Sequence, residues 1–431
     1  MDKVNKKKVA MHDPSRRKFF TQAAAAGGAA GVGLGFSHGA VKAGNVGGRR
    51  KTLVYLFLRG GMDGLSFLVP TSAGAFSSAY QLNRDATRIP DPIGLTPNWG
   101  MHPFCGELND LWLSGNLGLI HMCGHKDPDT YTRSHFDAQE QIELGTPGSQ
   151  AANTGWLSRY LSTATDAPAS PLFTAMVSGG NPPTSVNGWP DVATIDSTNG
   201  FTPNSGTYED AHLNVLARMY QGTGALDDAV STAMQAIETI NNLDLDDYTP
   251  AGNVSYPNSG IGNDLKLAAS VIRQDLGVGV ITADLGGWDT HNTQNVLTNG
   301  YGTRIEDLTN SIAAFYKDMV AANYDEDVTV IVQSEFGRQV KENENRGTDH
   351  GLGNVMMVLG PTSRINGGLW GAFPGFDNTP GNAFVPTTDF RDVMISVTHG
   401  VLGNPAFGGG QSSIFPGHNY APIPGFLRNN L

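Results

Sequence analysis

The chain has 431 residues, of which 39% are hydrophobic and 16% charged, and its formal net charge is −12. This length and composition are typical of a globular protein and exclude fibrous and low-complexity classes. The acidic balance argues against binding to nucleic acid or to an anionic membrane, although bound divalent metals would still permit an anionic substrate.

Residues 1–43 have the features of an export signal. The segment SRRKFF carries the pair Arg16 and Arg17, a weakly hydrophobic Ala/Gly stretch follows, and VKA at 41–43 suits a signal peptidase. We predict a twin-arginine signal peptide, with the twin-arginine translocation machinery as a partner and a periplasmic or secreted mature protein. The alternative is a charged, disordered N-terminus followed by a linker. We find no other apolar stretch of 18 residues, so no stable membrane span is expected in the mature form.

Short apolar runs alternate with segments of helical spacing after residue 44. The predicted strands are TLVYLFL (52–58), LGLIHMC (117–123), LGVGVITADL (276–285), VTVIVQS (328–334) and NVMMVLG (354–360). The predicted helices lie within 103–115, 133–145, 210–222, 227–243, 263–277, 304–324 and 387–403. Strands separated by helices predict an α/β fold whose mainly parallel sheet is covered on both faces. We expect one domain, residues 44–431, with a loop-rich insertion at about 146–208, because that stretch is rich in Gly, Pro, Asn, Ser and Thr.

Side chains suited to metal binding stand at the ends of several predicted strands. They are Asp63, Asp289, His291, Glu335, Asp349 and His350, together with Ser134 and His135 at the start of the helix after 117–123. Each of these alone is more often a turn former or a helix cap. In an open α/β sheet, however, ligands gather beyond the carboxyl ends of the strands. Carboxylates and imidazoles in five such segments therefore predict a metal site with nitrogen and oxygen ligands.

The segments RGGMDG, RSHF, GWLSR, GGWDTH, SEFGR and DHG, in this order, resemble the bacterial export family catalogued as domain of unknown function 1501. That family belongs to the alkaline phosphatase superfamily, and the resemblance covers roughly residues 50–405. It implies a three-layer α/β/α sandwich with a mainly parallel central sheet. It also implies one or two divalent ions, with zinc the first choice, but it names no substrate.

By position, Asp289, His291 and His350 resemble the complete ligand set of the superfamily's first metal. Asp289 and His291 are two residues apart, so in an extended segment both side chains would point the same way and Thr290 would face away.

The second metal of the superfamily is less complete in this chain. Asp63 resembles its early Asp ligand and Glu335 its later carboxylate. Phe336, however, stands in the place of its His ligand. His135 or Asp349 would have to complete the second set, or the site holds one ion.

Ser134 resembles the nucleophile, and as an ordinary helix N-cap it has an alternative role. Arg133, Arg338 and His135 are candidate substrate-binding residues, with Arg59 as a further candidate, because guanidinium groups form forked hydrogen bonds to ester oxygens.

The sequence therefore predicts an exported, metal-dependent hydrolase that acts on a phosphate or sulfate ester of a small molecule or polymer. The alternative is a non-catalytic binding or scaffold protein on a degenerate hydrolase fold that retains at most one metal, a reading that Phe336 favours. Whether Cys105 and Cys123 form a disulfide or stay as two buried thiols is left open by the sequence.

Overall fold

The computed structural model describes most of the predicted mature chain. The described residues are 49–148, 152–168, 171, 173–195, 209–224, 226–227, 230–231, 234 and 248–429. The predicted signal peptide and most of the helix predicted at 227–243 lie outside them.

The chain divides into two compact units. One combines residues 41–198 with 245–431 and contains every strand described below. Among the described residues, the other contains the helix Glu209–Met219. The extent of the domain predicted over residues 44–431 stays a prediction.

The strands and helices follow the predicted alternation. The strands are β1 (Thr52–Leu58), β2 (Leu68–Pro70), β3 (Ile93–Gly94), β4 (Trp99–Met101), β5 (Leu117–Gly124), β6 (Ala175–Ser178), β7 (Val192–Ile195), β8 (Val280–Leu285), β9 (Val328–Ser334), β10 (Asn354–Leu359), β11 (Gly368–Trp370), β12 (Thr388–Asp389), β13 (Phe407–Gly408) and β14 (Gln411–Ser412). The helices are α1 (Gly64–Phe67), α2 (Ser77–Asn83), α3 (Gly106–Leu113), α4 (His135–Leu144), α5 (Trp156–Thr163), α6 (Glu209–Met219), α7 (Gly260–Arg273), α8 (Tyr301–Ala321) and α9 (Phe390–Ile395), which a π-helical turn (Ser396–Val401) continues.

The central sheet is mainly parallel, as predicted. Its strand order is β11-β5-β10-β9-β1-β8-β6-β7, and β12 also pairs with β5. β1 lies between β8 and β9 and is parallel to both. β10 alone runs against its neighbours, since it pairs antiparallel with β9 and with β5. The start of β10 therefore lies at the same edge of the sheet as the carboxyl ends of the parallel strands.

The stretch 146–208, expected to be loop-rich, supplies part of the sheet. It contains α5 and the strands β6 and β7, and β6 pairs in parallel with β8. Both strands have only four residues, so the surrounding Gly and Pro residues dominated the composition on which the loop prediction depended.

Helices cover both faces of the sheet, which confirms the three-layer architecture. Leu53, Tyr55 and Phe57 of β1 share one buried cluster with α5 and α9, where Tyr55 meets Trp156 edge-on at 5.2 Å between ring centroids. The alternate residues Val54 and Leu56 point to the opposite face and are also buried. Each such side chain contributes roughly 2 kcal/mol through burial.

Cys105 and Cys123 are both buried and unpaired. Burial raises the pKa of the Cys105 thiol to about 12, so it stays protonated at neutral pH. Among the described helices, none combines the length and apolarity needed to cross a bilayer.

Candidate metal centre

The antiparallel β10 brings the motifs GGWDTH and DHG to one edge of the sheet. GGWDTH follows β8, whereas DHG precedes β10, and the reversed direction of β10 places both segments beyond the same strand ends. The chain packs tightly here. A Cβ atom on Gly60, whose φ is +120°, would lie 2.7 Å from the backbone nitrogen of Asp289. Glycine after β1 therefore permits the close approach of these two loops.

Three imidazoles surround one carboxylate oxygen at this edge. Asp289 Oδ1 lies 3.0 Å from His291 Nε2, 3.1 Å from His350 Nε2 and 3.5 Å from His135 Nε2. His135, Asp289 and His350 each offer a ligand atom within 4.8 Å of the others. The predicted first-metal residues are therefore brought together, and His135 joins them.

Each imidazole is oriented by a hydrogen bond at Nδ1, the ring nitrogen that faces away from Asp289. Nδ1 of His135 donates to Glu335 Oε1 and Nδ1 of His291 donates to Asp349 Oδ1, each over 2.7 Å. Nδ1 of His350 donates to the carbonyl oxygen of Arg133 over 2.7 Å. Because these acceptors carry no proton, Nδ1 holds the hydrogen of each ring. A neutral ring then presents the Nε2 lone pair to the shared centre, which is how proteins orient metal-binding histidines.

The cluster fits a divalent metal of the zinc type. Nε2 of His291 and Nε2 of His350 are 2.8 Å apart, so two neutral rings with Nδ1 protonated direct both lone pairs into the same small space, where a cation bound to both would be their common partner. Nε2 of His135 is buried and has no hydrogen-bond partner among the described residues. Three imidazoles and a carboxylate form a ligand set that zinc accepts. The Asp289 side chain is 46% exposed, so the centre is open to solvent.

The electrostatics of the cluster keep its carboxylates ionised. Burial acts to raise the pKa of Asp289, but the hydrogen bond and charge of Arg338 outweigh it and lower that pKa to about 2. The hydrogen bond to His291 lowers the pKa of Asp349. The pKa values of His135 and His350 shift in opposite directions. The hydrogen bond to Glu335 raises the pKa of His135, whereas burial lowers the pKa of His350.

Glu335 is buried beneath His135. Besides His135, its Oε1 accepts bonds from Gln139 Nε2 at 2.9 Å and from the backbone nitrogen of Gly60 at 2.8 Å. Its other oxygen accepts from Ser334 Oγ at 2.9 Å. Glu335 and Asp349 were both predicted as metal ligands. In the structure Glu335 contacts Nδ1 of His135 and Asp349 contacts Nδ1 of His291, on the side of each ring that faces away from the shared centre.

Phe336 packs against the histidines of the cluster. Its ring centroid is 4.9 Å from those of His135 and His350. The residue that stands in place of a metal-binding His thus fills the space beside the imidazoles with an aromatic ring.

Asp63 is bound by the protein itself. It is 1% exposed and both its oxygens accept from the guanidinium of Arg84, at 2.5 and 3.1 Å. Ser66 and Gln294 also donate to Oδ2, at 2.6 and 2.7 Å. The carboxylate predicted as an early ligand of a second metal therefore already has a buried cation as its partner.

Arg338, a predicted substrate-binding residue, is a buried clamp between loops. Its guanidinium donates to Asp289 Oδ1 at 2.7 Å. It also donates to the backbone carbonyls of Gly60, Gly61, Trp288 and Thr348. These bonds fix Asp289 relative to the ends of β1 and β9.

Ser134 is the N-cap of α4, and its Oγ accepts from the backbone nitrogen of Asp137 at 3.4 Å. The residues on both sides of it touch the cluster, Arg133 through its carbonyl and His135 through its ring. The Arg133 side chain donates to the carbonyl of Gly381.

Sequence reasoning missed two residues that support the cluster. Gln139 lies four residues after His135 on α4, a spacing that puts both side chains on one helix face, and both contact Glu335. Asn343 donates to Asp349 Oδ1 at 3.0 Å from an irregular loop, where no periodicity could have indicated its role.

The fold and this cluster define an α/β protein with a candidate metal centre at the ligand-binding edge of its sheet. A family model described as Protein of unknown function (DUF1501) matches residues 112–400. The match covers more than half of the chain, which therefore belongs to this family, as its motifs predicted.

Several solved structures resemble the chain in fold. One is a protein in the alkaline phosphatase superfamily from Vibrio parahaemolyticus, with 11% identity, a TM-score of 0.31, and 90% of this chain and 75% of that chain covered. Another is the lipoteichoic acid synthase LtaP from Listeria monocytogenes, with 9% identity, a TM-score of 0.36 and coverage of 92% and 80%. A third is the C-terminal periplasmic domain of EcEptC from Escherichia coli in complex with Zn, with 11% identity, a TM-score of 0.31 and coverage of 74% and 75%. A comparison with curated proteins gave no match.

Proposed function

We propose that the chain is an exported hydrolase that uses one divalent ion, zinc in the first instance, to cleave phosphate or sulfate esters. One observation carries this proposal. Three imidazoles have Nδ1 tied to an acceptor and Nε2 within 3.5 Å of Asp289 Oδ1. A set of histidines oriented in this way, and open to solvent, is suited to binding a catalytic cation.

In this proposal His135, Asp289, His291 and His350 hold the ion. Glu335 and Asp349 are positioning residues that fix the tautomer and direction of His135 and His291. When bound, a divalent ion supplies positive charge that attracts the anionic ester and stabilises the charge developing in the transition state.

Ser134 is the proposed nucleophile. It stands at the N-terminus of the ten-residue helix α4, where the backbone N–H groups of the first turn and the helix dipole favour an anion such as the ester's phosphate or sulfate. Its oxygen bonds to phosphorus or sulfur and loses a proton, while the alcohol oxygen leaves and gains one. Water then releases phosphate or sulfate and restores the serine.

The surroundings of the residues that resemble the second metal's ligands support one bound ion rather than two. Asp63 is paired with Arg84, and Phe336 offers no ligand atom. Export follows from the twin arginines of SRRKFF, a route that would deliver the protein folded and loaded with metal.

The test combines metal content with turnover. Protein purified without chelator is examined by elemental analysis and assayed on chromogenic phosphate and sulfate esters. About one metal equivalent and turnover of one ester class are expected. One equivalent without turnover of any ester would favour the binding or scaffold protein, and absence of metal would overturn the proposed centre.

A further inference from the structure

A pocket of about 360 Å³ lies beside the metal centre, along one face of α4. Phe136, Gln139, Glu140 and Glu143 line it, and their spacing of three and four residues puts them on the same side of the helix. The volume is within the range of small-ligand sites, roughly 300 to 1,000 Å³. Phe136 is 87% exposed, so an aromatic ring stands open at the entrance.

The opposite wall is the segment after β6. Pro182, Pro183 and Thr184 face the helix across the pocket. Glu143 fixes this wall, because its Oε2 accepts from the backbone nitrogen of Thr184 at 2.8 Å. Its Oε1 accepts from Arg59 at 2.7 Å. The pocket is therefore a slot lined by an exposed aromatic ring on α4 and by a pair of prolines on the segment that Glu143 holds to the helix.

The pocket and the metal centre share a boundary. Gln139 lines the pocket and donates to Glu335 Oε1, the oxygen that also orients His135. Arg59 lines the pocket, and the next residue, Gly60, donates its backbone N–H to the same oxygen. Two residues of the lining are thus tied to the carboxylate that orients His135, which places the slot next to the proposed site of the anionic group.

The charges of the pocket differ from those of the centre. Arg59 is its cation and is neutralised by Asp284 and Glu143, at 2.6 and 2.7 Å. Glu140 is exposed and forms no ion pair with the described residues. The lining thus repels a second anionic group, whereas the neighbouring helix N-terminus and a bound metal attract one.

We infer that this slot, defined by Phe136, Gln139, Glu140 and the two prolines, binds the leaving group of the ester and selects an uncharged ring. The substrates are then phosphate or sulfate monoesters of a neutral sugar or aryl alcohol. Ring faces stack on Phe136 and on the prolines, a contact worth roughly 1 kcal/mol or about fivefold in affinity. The inference rests on the proposed function for the position of the anionic group.

Binding of non-hydrolysable probes tests this inference without requiring turnover. Phenylphosphonate and methylphosphonate carry the same anionic group and differ in the ring, and their dissociation constants with the metal-loaded protein are measured by calorimetry. We expect the phenyl probe to bind about fivefold more tightly, and Phe136→Ala to remove this preference while methylphosphonate binding stays unchanged. Leu113→Ala, which truncates another exposed apolar side chain on α3, should keep the preference.

A third probe tests the charge of the slot. A carboxylate on the ring, in 4-carboxyphenylphosphonate, should weaken binding about threefold, and Glu140→Gln should relieve that penalty. A neutral ring-bearing sugar phosphonate compared with phenylphosphonate distinguishes the sugar from the aryl group.

The outcomes separate the two proposals. The slot proposal is wrong if the phenyl and methyl probes bind equally, or if Phe136→Ala keeps the preference for the phenyl probe, even when esters are hydrolysed. If the preference depends on Phe136 but no ester is turned over, the slot proposal is supported and the proposed hydrolysis is wrong. If neither phosphonate binds, the slot proposal fails, whereas turnover of the chromogenic phosphate and sulfate esters still decides the proposed hydrolysis.

Discussion

Arg84 and Asp63 form a two-point ion pair in the interior, with side chains 0% and 1% exposed. Nη1 and Nη2 of the guanidinium each donate to a different carboxylate oxygen. Burial alone would raise the pKa of Asp63, but the charge and hydrogen bonds of Arg84 outweigh it and lower that pKa. The pair supplies, within the chain, the positive partner that a second metal ion would otherwise provide to Asp63.

Asp63→Asn should therefore destabilise the protein without removing metal. An unpaired Arg84 would stay buried, and breaking one partner of a buried pair costs about 3 kcal/mol or more. Urea unfolding and elemental analysis measure the two effects. Asp327→Asn, which breaks the more exposed pair with Arg49, should cost less than about 1 kcal/mol. Loss of a metal equivalent in Asp63→Asn would show that a second metal site exists.

The same pair has a predictable pH dependence. Because the folded pKa of Asp63 is depressed, its contribution to stability is complete above the unfolded value of 3.8 and is lost as pH falls through the lower folded pKa. The difference in stability between the wild type and Asp63→Asn should therefore shrink as the pH falls below 3.8. Urea unfolding at several pH values measures this difference.

His291→Ala and His350→Ala should each abolish the metal centre. We expect loss of one metal equivalent and of activity together, because each removes an imidazole from the cluster. The metal-loaded protein should lose about 3 kcal/mol of stability at 100-fold excess of free metal over its dissociation constant, while the metal-free protein changes little. His418→Ala, whose ring contacts Asp392 elsewhere, is the control. Full metal content in both cluster variants would disprove the assignment.

Ser134→Ala separates the nucleophile from the helix cap. Loss of the cap should cost about 1 kcal/mol, whereas loss of the nucleophile should reduce turnover of an identified ester by orders of magnitude. Ser259→Ala is the control, since Ser259 caps α7 by accepting the same type of bond, from the backbone nitrogen of Gly262. Because Ser259 Oγ also donates to Asp307 Oδ1 at 2.5 Å, this variant should lose at least as much stability and keep its turnover. Retained turnover in Ser134→Ala would reduce Ser134 to a cap.

His121 should make the protein sensitive to acid. It is 2% exposed, packs 4.4 Å from Trp99 between ring centroids, and neither ring nitrogen has a partner among the described residues. Burial lowers its pKa to about 3 from 6.5. Below pH 6.5 His121 is protonated in the unfolded chain but stays neutral in the folded protein. The free energy of unfolding therefore falls as the pH falls from 6.5 towards 3, and the loss is about 2 kcal/mol at pH 5.

His121→Phe should remove this contribution, and urea unfolding at pH 7 and pH 5 measures it. The variant should lose less stability between the two values than the wild type does. An unchanged difference would mean that His121 does not exclude the proton.

Replacement of Arg16 and Arg17 together by Lys should hold the precursor in the cytoplasm. The translocation receptor reads guanidinium geometry that an ammonium cannot reproduce. Immunodetection of periplasmic and cytoplasmic fractions measures the outcome. Normal accumulation of the variant outside the cytoplasm would exclude this route.

The sequence by itself determined the sheet strands that are long and continuously apolar. TLVYLFL and VTVIVQS were predicted with the bounds that β1 and β9 have, because a buried parallel strand is a local property of a few consecutive residues. It also placed Asp289, His291 and His350 at strand ends, which required only the order of the motifs along the chain.

The tertiary structure decided what those residues do to one another. Strand order brings His135, which follows β5, to Asp289, and the reversed β10 brings His350 there; no local pattern encodes the distance between segments so far apart in sequence. Glu335 and Asp349 read as ligands in the sequence, yet their oxygens meet Nδ1 atoms. A carboxylate can coordinate a metal or accept a hydrogen bond from an imidazole or a guanidinium. Only the packing around it determines which of these partners it contacts.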